Sequence, residues 1–168
     1  MSLDAAGLGV GAHSDSGVLT LLLQPAGVRG LQVLRPDGAT WADVPPLPGT
    51  LVLNAGEALQ LATGGYLRAA IHRVVPPPPG GPARVSLPYF FNSDHAAVIA
   101  PLQSSILQAL PWERPGERFL PGTHGGRNVL LPRAGDNVFK SFARSHPAAF
   151  AANHADLRIM PDGTVAPR

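Results

Sequence analysis

The sequence predicts a mainly β fold with minor helix, on three observations. Glycine and proline, 19 of each in 168 residues, together exceed a fifth of the chain. They cluster between short apolar runs, as a turn-rich β protein requires. One such cluster, Pro36-Asp37-Gly38, is a strong tight-turn signal set between two strand-like runs.

Residues 18–24 (VLTLLLQ) read as a strand buried on both faces, being short, apolar and closed by Pro25 and Gly27. Residues 30–35 (GLQVLR) follow as a second strand. At the turn after it, proline pre-sets the first dihedral and glycine supplies a positive φ, so residues 40–44 should pair back on 31–35. Pro45, Pro46 and Pro48 break the pattern before the next strand candidate, 50–54 (TLVLN). An amphipathic helix over Glu57–Ala62 comes next, closed by Gly64-Gly65. Residues 69–75 and 84–91 then read as strands. The loop between them, 76–82 (PPPPGGP), is too stiff and too poor in N–H donors to join a sheet.

This core module runs from about Leu8 to about Phe91. Beyond Pro101, residues 102–110 have helical character, 111–133 are irregular, and 136–157 form a broken helical segment containing Pro147. Neither internal repeats nor a second core are visible. The expected division is a core over residues 1–100 and a part-helical C-terminal extension over 101–168, packing on the core or trailing from it.

An apolar content of 45% fits one globular domain. With 14% charged residues and a formal charge of +2, nothing argues for a nucleic-acid partner. The absence of cysteine excludes disulfides, thiolate metal sites and cysteine nucleophiles, so any metal must sit on His, Asp or Glu. The first eleven residues lack a basic segment followed by an apolar one, and the longest apolar run is interrupted by Thr20. No signal peptide or membrane span is readable, and a cytoplasmic protein acting on a small molecule is the expectation.

The chemistry concentrates in three strands. In extended chain, residues two apart point to the same side, so His13 and Asp15 can converge on one point. The same period puts His72 on a face with Ala70 and Val74, small neighbours that leave room for a ligand. Two histidines and a carboxylate form the facial triad that holds Fe(II) from one side and leaves positions open for co-substrate and dioxygen. Arg84 and Ser86 alternate on the next strand with Pro88 and Phe90, and a guanidinium fork plus a hydroxyl suits a carboxylate held bidentately. Taken singly, each feature is more often a surface turn, a core histidine or an exposed ion-pair partner. Their order and strand placement make them a set.

The segments GLGVGAHSDSGVLTLLLQ, GLQVLRPDGATWADVPPLPGTLVLNAGEALQLATGGYLRAAIHRVV and RVSLPYFFN resemble successive parts of the isopenicillin N synthase-like Fe(II)/2-oxoglutarate-dependent oxygenases, in their C-terminal catalytic half. The resemblance covers roughly the first hundred residues and implies a double-stranded β-helix (jelly roll), partial at its N-terminal side. It implies that His13, Asp15 and His72 are the catalytic iron ligands and that Arg84 and Ser86 bind the 2-oxoglutarate carboxylate. Fe(II), 2-oxoglutarate and O2 would then oxidise a C–H bond of a small organic substrate with release of succinate and CO2. Asp15 favours hydroxylation, desaturation or ring closure over halogenation, for which related enzymes replace this carboxylate with a small residue. Asn54 and Gly56 match the family's turn before its short helix and are read as structural.

His95, His124, His146 and His154 lack ligand-like spacing and are expected in surface or capping roles. Family members carry a long region ahead of the His-x-Asp segment. Without it, exposed sheet edges and apolar strand faces are expected to cause aggregation or to require a partner chain. The competing readings are a truncated, catalytically incompetent fragment that retains metal binding, and a cupin-like binding module with an incidental metal site.

Overall fold

The computed structural model describes residue 7 and residues 9–110 and 130–168. Two antiparallel sheets dominate it. The first, in the order β1-β6-β3-β4, comprises β1 (Val10–His13), β3 (Leu31–Leu34), β4 (Trp41–Asp43) and β6 (His72–Val74). The second, in the order β5-β2-β7, comprises β2 (Leu19–Leu23), β5 (Val52–Ala55) and β7 (Leu87–Phe91). The chain crosses repeatedly between the sheets, and side chains from both line a cavity of about 350 Å³ between them.

Each predicted strand is present, most of them shorter than expected. The turn between β3 and β4 forms as its chemistry dictates: Gly38 takes φ +70°, and Asp37 Oδ1 accepts hydrogen bonds from the N–H groups of Ala39 and Thr40. The N–H groups of Thr40 and Ala39 hold the Asp37 carboxyl pKa down at about 2. Helix α1 (Glu57–Ala62) ends at Gly64 and Gly65, both at positive φ, whose amides bond the Leu61 and Gln60 carbonyls.

Three expectations are corrected. The 18–24 strand is not buried on both faces: Thr20 is 4% exposed but Leu23 is 41% exposed. The register places Leu21 opposite Leu53 and Tyr89, Leu19 opposite Phe91 and Leu23 opposite Leu87 on the outer face. Leu53, Leu87, Tyr89 and Phe91 are all more than half exposed there. Only the inner face is covered, because the first sheet is the layer it packs against. Arg84 and Ser86 stand in extended chain just ahead of β7 rather than within it. Strand β1 lies outside the predicted set, although Leu8, Val10 and Ala12 alternate with glycines in the sequence.

Past the sheets lie α2 (Ser105–Ala109), α3 (Ala134–Ser145) and α4 (Pro147–Asn153), with Pro147 opening α4 at its first position. His146 and His154 flank these helices in capping positions, and the carbonyl of His95 accepts the Gly135 amide. His124 and most of the 111–133 segment lie outside the described residues. The chain closes in a hairpin, β8 (Leu157–Ile159) with β9 (Val165–Pro167), where the sequence reading extends the broken helix to residue 157. Among the described residues no helix is long and apolar enough to cross a membrane.

Candidate metal centre

His13 ends β1 and pairs directly with His72 at the start of β6. The register slips between this pair and Val10↔Val74, a bulge of the kind that re-aims a side chain beside a site. The two imidazoles stand with ring centroids 4.3 Å apart. Each is oriented by backbone: His13 Nδ1 lies 2.8 Å from the Gly11 carbonyl and His72 Nδ1 lies 3.0 Å from that of Ala70. A carbonyl can only accept, so these bonds put the proton on Nδ1 and leave Nε2 as a lone pair. Burial pushes the His13 pKa below its ordinary value, against the pull of the Gly11 carbonyl, a direction that favours the neutral form of the ring.

Asp15 supplies the third group. Its Oδ1 lies 3.6 Å from His13 Nε2 and 3.8 Å from His72 Nε2. One ligand atom from each residue falls within a cluster 4.8 Å across. The other oxygen, Oδ2, accepts from Thr20 Oγ1 at 2.5 Å and from Asn54 Nδ2 at 2.9 Å. One carboxylate oxygen is thus tied to the protein and the other left for a metal. Thr20 and Asn54 are directly opposite in the β2–β5 ladder, which is why both reach the same atom. Asn54 therefore does more than shape a turn; Thr20 had no signal beyond being the one polar residue in an apolar strand.

The segment that carries Asp15 is held by the first turn of α1. The amides of Gly56, Glu57 and Ala58 donate to the carbonyls of Val18, Asp15 and Gly17, satisfying helix donors that have no side-chain cap. A Cβ on Gly56 would run into the Gly17 carbonyl, so its structural reading stands and only glycine fits there. Ser14, between the two ligands, donates to Glu57 Oε1 at 2.5 Å.

Arg84 and Ser86 line the same 350 Å³ cavity as the three candidate ligands, with Pro88 and Phe90 as the alternation required. Arg84 Nη1 donates to Ser86 Oγ at 3.2 Å and Nη2 to Gln24 Oε1 at 3.1 Å, while Gln24 is anchored through Nε2 on the Val44 carbonyl. Burial pushes the Arg84 pKa below its ordinary value. Its Nε is buried and has no hydrogen-bond partner among the described residues. A half-buried guanidinium whose side-chain partners are neutral is suited to an external carboxylate. The residues therefore fit both a divalent metal and a keto-acid.

Loosening the Asp15 carboxylate checks the arrangement directly. Thr20→Val and Asn54→Leu are each expected to weaken Fe(II) binding about 10–100-fold, the usual cost of losing an outer partner of a metal ligand. Anaerobic metal titration reads this, and unchanged affinity in both variants would show that Asp15 needs no such support.

The 2OG-Fe(II) oxygenase superfamily description matches residues 3–93. The chain is 42% identical over 95 residues to a feruloyl CoA ortho-hydroxylase of Ipomoea batatas, covering 56% of this chain and 26% of that protein. It is 43% identical over 99 residues to the scopoletin 8-hydroxylase of Arabidopsis thaliana, covering 59% and 27%. Among solved structures, a 2OG-Fe(II) oxygenase family protein from Caulobacter crescentus superposes with a TM-score of 0.57 at 32% identity, over 86% of this chain and 42% of that one. The chain thus spans about a quarter to two-fifths of the length of these relatives. The two facing sheets are those of the double-stranded β-helix, and by its matched segment this chain belongs to the 2OG-Fe(II) oxygenase superfamily.

Proposed function

We propose that this chain provides the metal- and keto-acid-binding machinery of an Fe(II)- and 2-oxoglutarate-dependent dioxygenase. The reaction hydroxylates or desaturates a small organic substrate with release of succinate and CO2. The observation that carries the reading is that one cavity holds three convergent candidate ligand atoms and a half-buried guanidinium with neutral side-chain partners. The superfamily uses Fe(II), 2-oxoglutarate and O2.

His13, Asp15 and His72 hold the iron on one side, through two Nε2 atoms and one carboxylate oxygen. Arg84 and Ser86 take the far carboxylate of 2-oxoglutarate, and Gln24 keeps the fork turned toward it. Bound together, iron and 2-oxoglutarate supply the oxidising power, activating dioxygen as the keto-acid is converted to succinate and CO2. Leu22, Leu31, Val33 and Val74 wall the cavity and exclude water, which strengthens the Arg84–carboxylate attraction. We assign residues 1–100 to this machinery and 101–168 to a C-terminal extension, and place the protein in the cytoplasm.

The test is an anaerobic titration with Fe(II) and 2-oxoglutarate, read by the weak visible charge-transfer band of keto-acid chelation. The band should require both components. Arg84→Ala should weaken 2-oxoglutarate binding by at least about thirtyfold, the lower end of truncating a buried charge partner, and leave Fe(II) binding intact. A second reading, metal binding without turnover, is favoured by the exposed outer face of Leu53, Leu87, Tyr89 and Phe91. It predicts Fe(II) binding indifferent to Arg84→Ala and no band.

A further inference from the structure

A second cavity, about 1020 Å³, opens on the other side of the His13–Asp15 segment. Leu34, Trp41, Ile71, Phe90 and Val138 supply its apolar walls. Trp41 is held by the Arg73 guanidinium, 4.0 Å above its ring, and Arg73 is fixed in turn by a 2.8 Å bond from Nε to Gln32 Oε1. The wall therefore presents a rigid aromatic surface.

The charged groups of this cavity are few and mostly engaged. His13 and Asp15 are the candidate metal ligands, and Glu57 receives the Ser14 hydroxyl. The remaining one is Arg144 in the last turn of α3, with Ser141 and Ser145 on the same side of the helix also lining the space. Arg144 is exposed to the cavity and forms no salt bridge among the described residues.

We infer that Arg144, with the Ser141 and Ser145 hydroxyls, anchors the carboxylate of an organic acid whose apolar or aromatic body lies against Trp41, Ile71 and Phe90, beside the candidate metal ligands. The inference rests on the oxygenase reading and names its substrate class. A planar guanidinium takes a carboxylate bidentately, and the two hydroxyls add single donors in the same turn. A body of phenyl-alkyl size fits this volume and meets apolar surface. Fixing the acid group at α3 would present one end of the body to the iron and so select which carbon is oxidised.

Binding to the purified chain by isothermal titration calorimetry, with Fe(II) and saturating 2-oxoglutarate under anaerobic conditions, provides the test. The probes are 4-phenylbutyrate, its neutral amide, and 3-phenylpropyl phosphate. The acid should bind about tenfold or more tightly than the amide, a preference lost in Arg144→Ala and partly kept in Arg144→Lys. Arg35→Ala, at an exposed position outside this cavity, should leave it intact. Equal binding of acid and amide, or an undiminished preference in Arg144→Ala, overturns the assignment, and tighter binding of the phosphate ester overturns the carboxylate class. The 2-oxoglutarate titration in Arg144→Ala should match that of the parent protein. If it collapses, Arg144 belongs to the keto-acid site and the inference fails. A parent chain that shows the acid preference with Fe(II) alone but no keto-acid band sinks the oxygenase reading while leaving the anion site standing.

Discussion

Replacing His72 with alanine is expected to abolish the Fe(II)–2-oxoglutarate chromophore, with metal affinity falling well beyond the roughly 10–100-fold expected for an outer partner. His72 supplies one of three candidate ligand atoms and sits between β1 and β3 in the first sheet, paired with His13 on one side and Val33 on the other. Its backbone ladder survives the substitution, so the loss should be specific. Without His72 the metal would retain only His13 and Asp15, and Fe(II) held by two protein groups has no fixed face to present to a keto-acid. The metal-free variant should unfold at nearly the temperature of the parent. A chromophore that persists in His72→Ala would remove this residue from the metal site. A large drop in metal-free stability would instead mark its role as packing.

Lys140→Ala is expected to produce the largest loss of stability, about 3–5 kcal/mol, corresponding to roughly 6–20 °C in a domain of this size. Lys140 is 1% exposed and Glu57 is 2% exposed. Burial pushes the pKa of the Lys140 ammonium below its ordinary value, and the Glu57 carboxylate draws it back up. Removing the cation leaves a buried carboxylate without its counter-charge, which costs far more than the pair contributes net. The double variant Lys140→Met with Glu57→Gln should recover much of the loss, because neither charge is then buried. Thermal and urea unfolding compare the two, and a double variant as unstable as the single one would show that packing, not charge, is at stake. Since Glu57 also receives the Ser14 hydroxyl between the two ligands, Lys140→Ala should weaken Fe(II) binding as well.

The legible parts of the site are those set by the strand period. His13 and Asp15, and Arg84 and Ser86, are two apart, so extended chain alone aims each pair to one side, and the structure gathers all four with His72 around one cavity. The Pro-Asp-Gly turn at 36–38 is equally readable, since its proline, Asx acceptor and glycine act within four residues. The same triplet recurs at 161–163, where Gly163 takes φ +83° and Asp162 Oδ1 accepts the Thr164 amide. The β8–β9 hairpin is thus written in the sequence as clearly as the β3–β4 turn, and the helical pattern ahead of it masks the signal.

What the sequence by itself determined is the set of candidate ligands, the succession of strands from β2 to β7 and the turn between β3 and β4, because strand period and turn chemistry are local. Only the tertiary structure decided how the ligands are supported. Thr20 and Asn54 meet on one oxygen of Asp15 through a ladder register, and register depends on how whole strands pair. The Glu57 charge acts on Lys140 from far along the chain, and Arg144 lines the second cavity, only because α3 lies beside the segment that carries the candidate ligands. Contacts of that sequence separation are set by the packing of the whole chain, which no local pattern encodes.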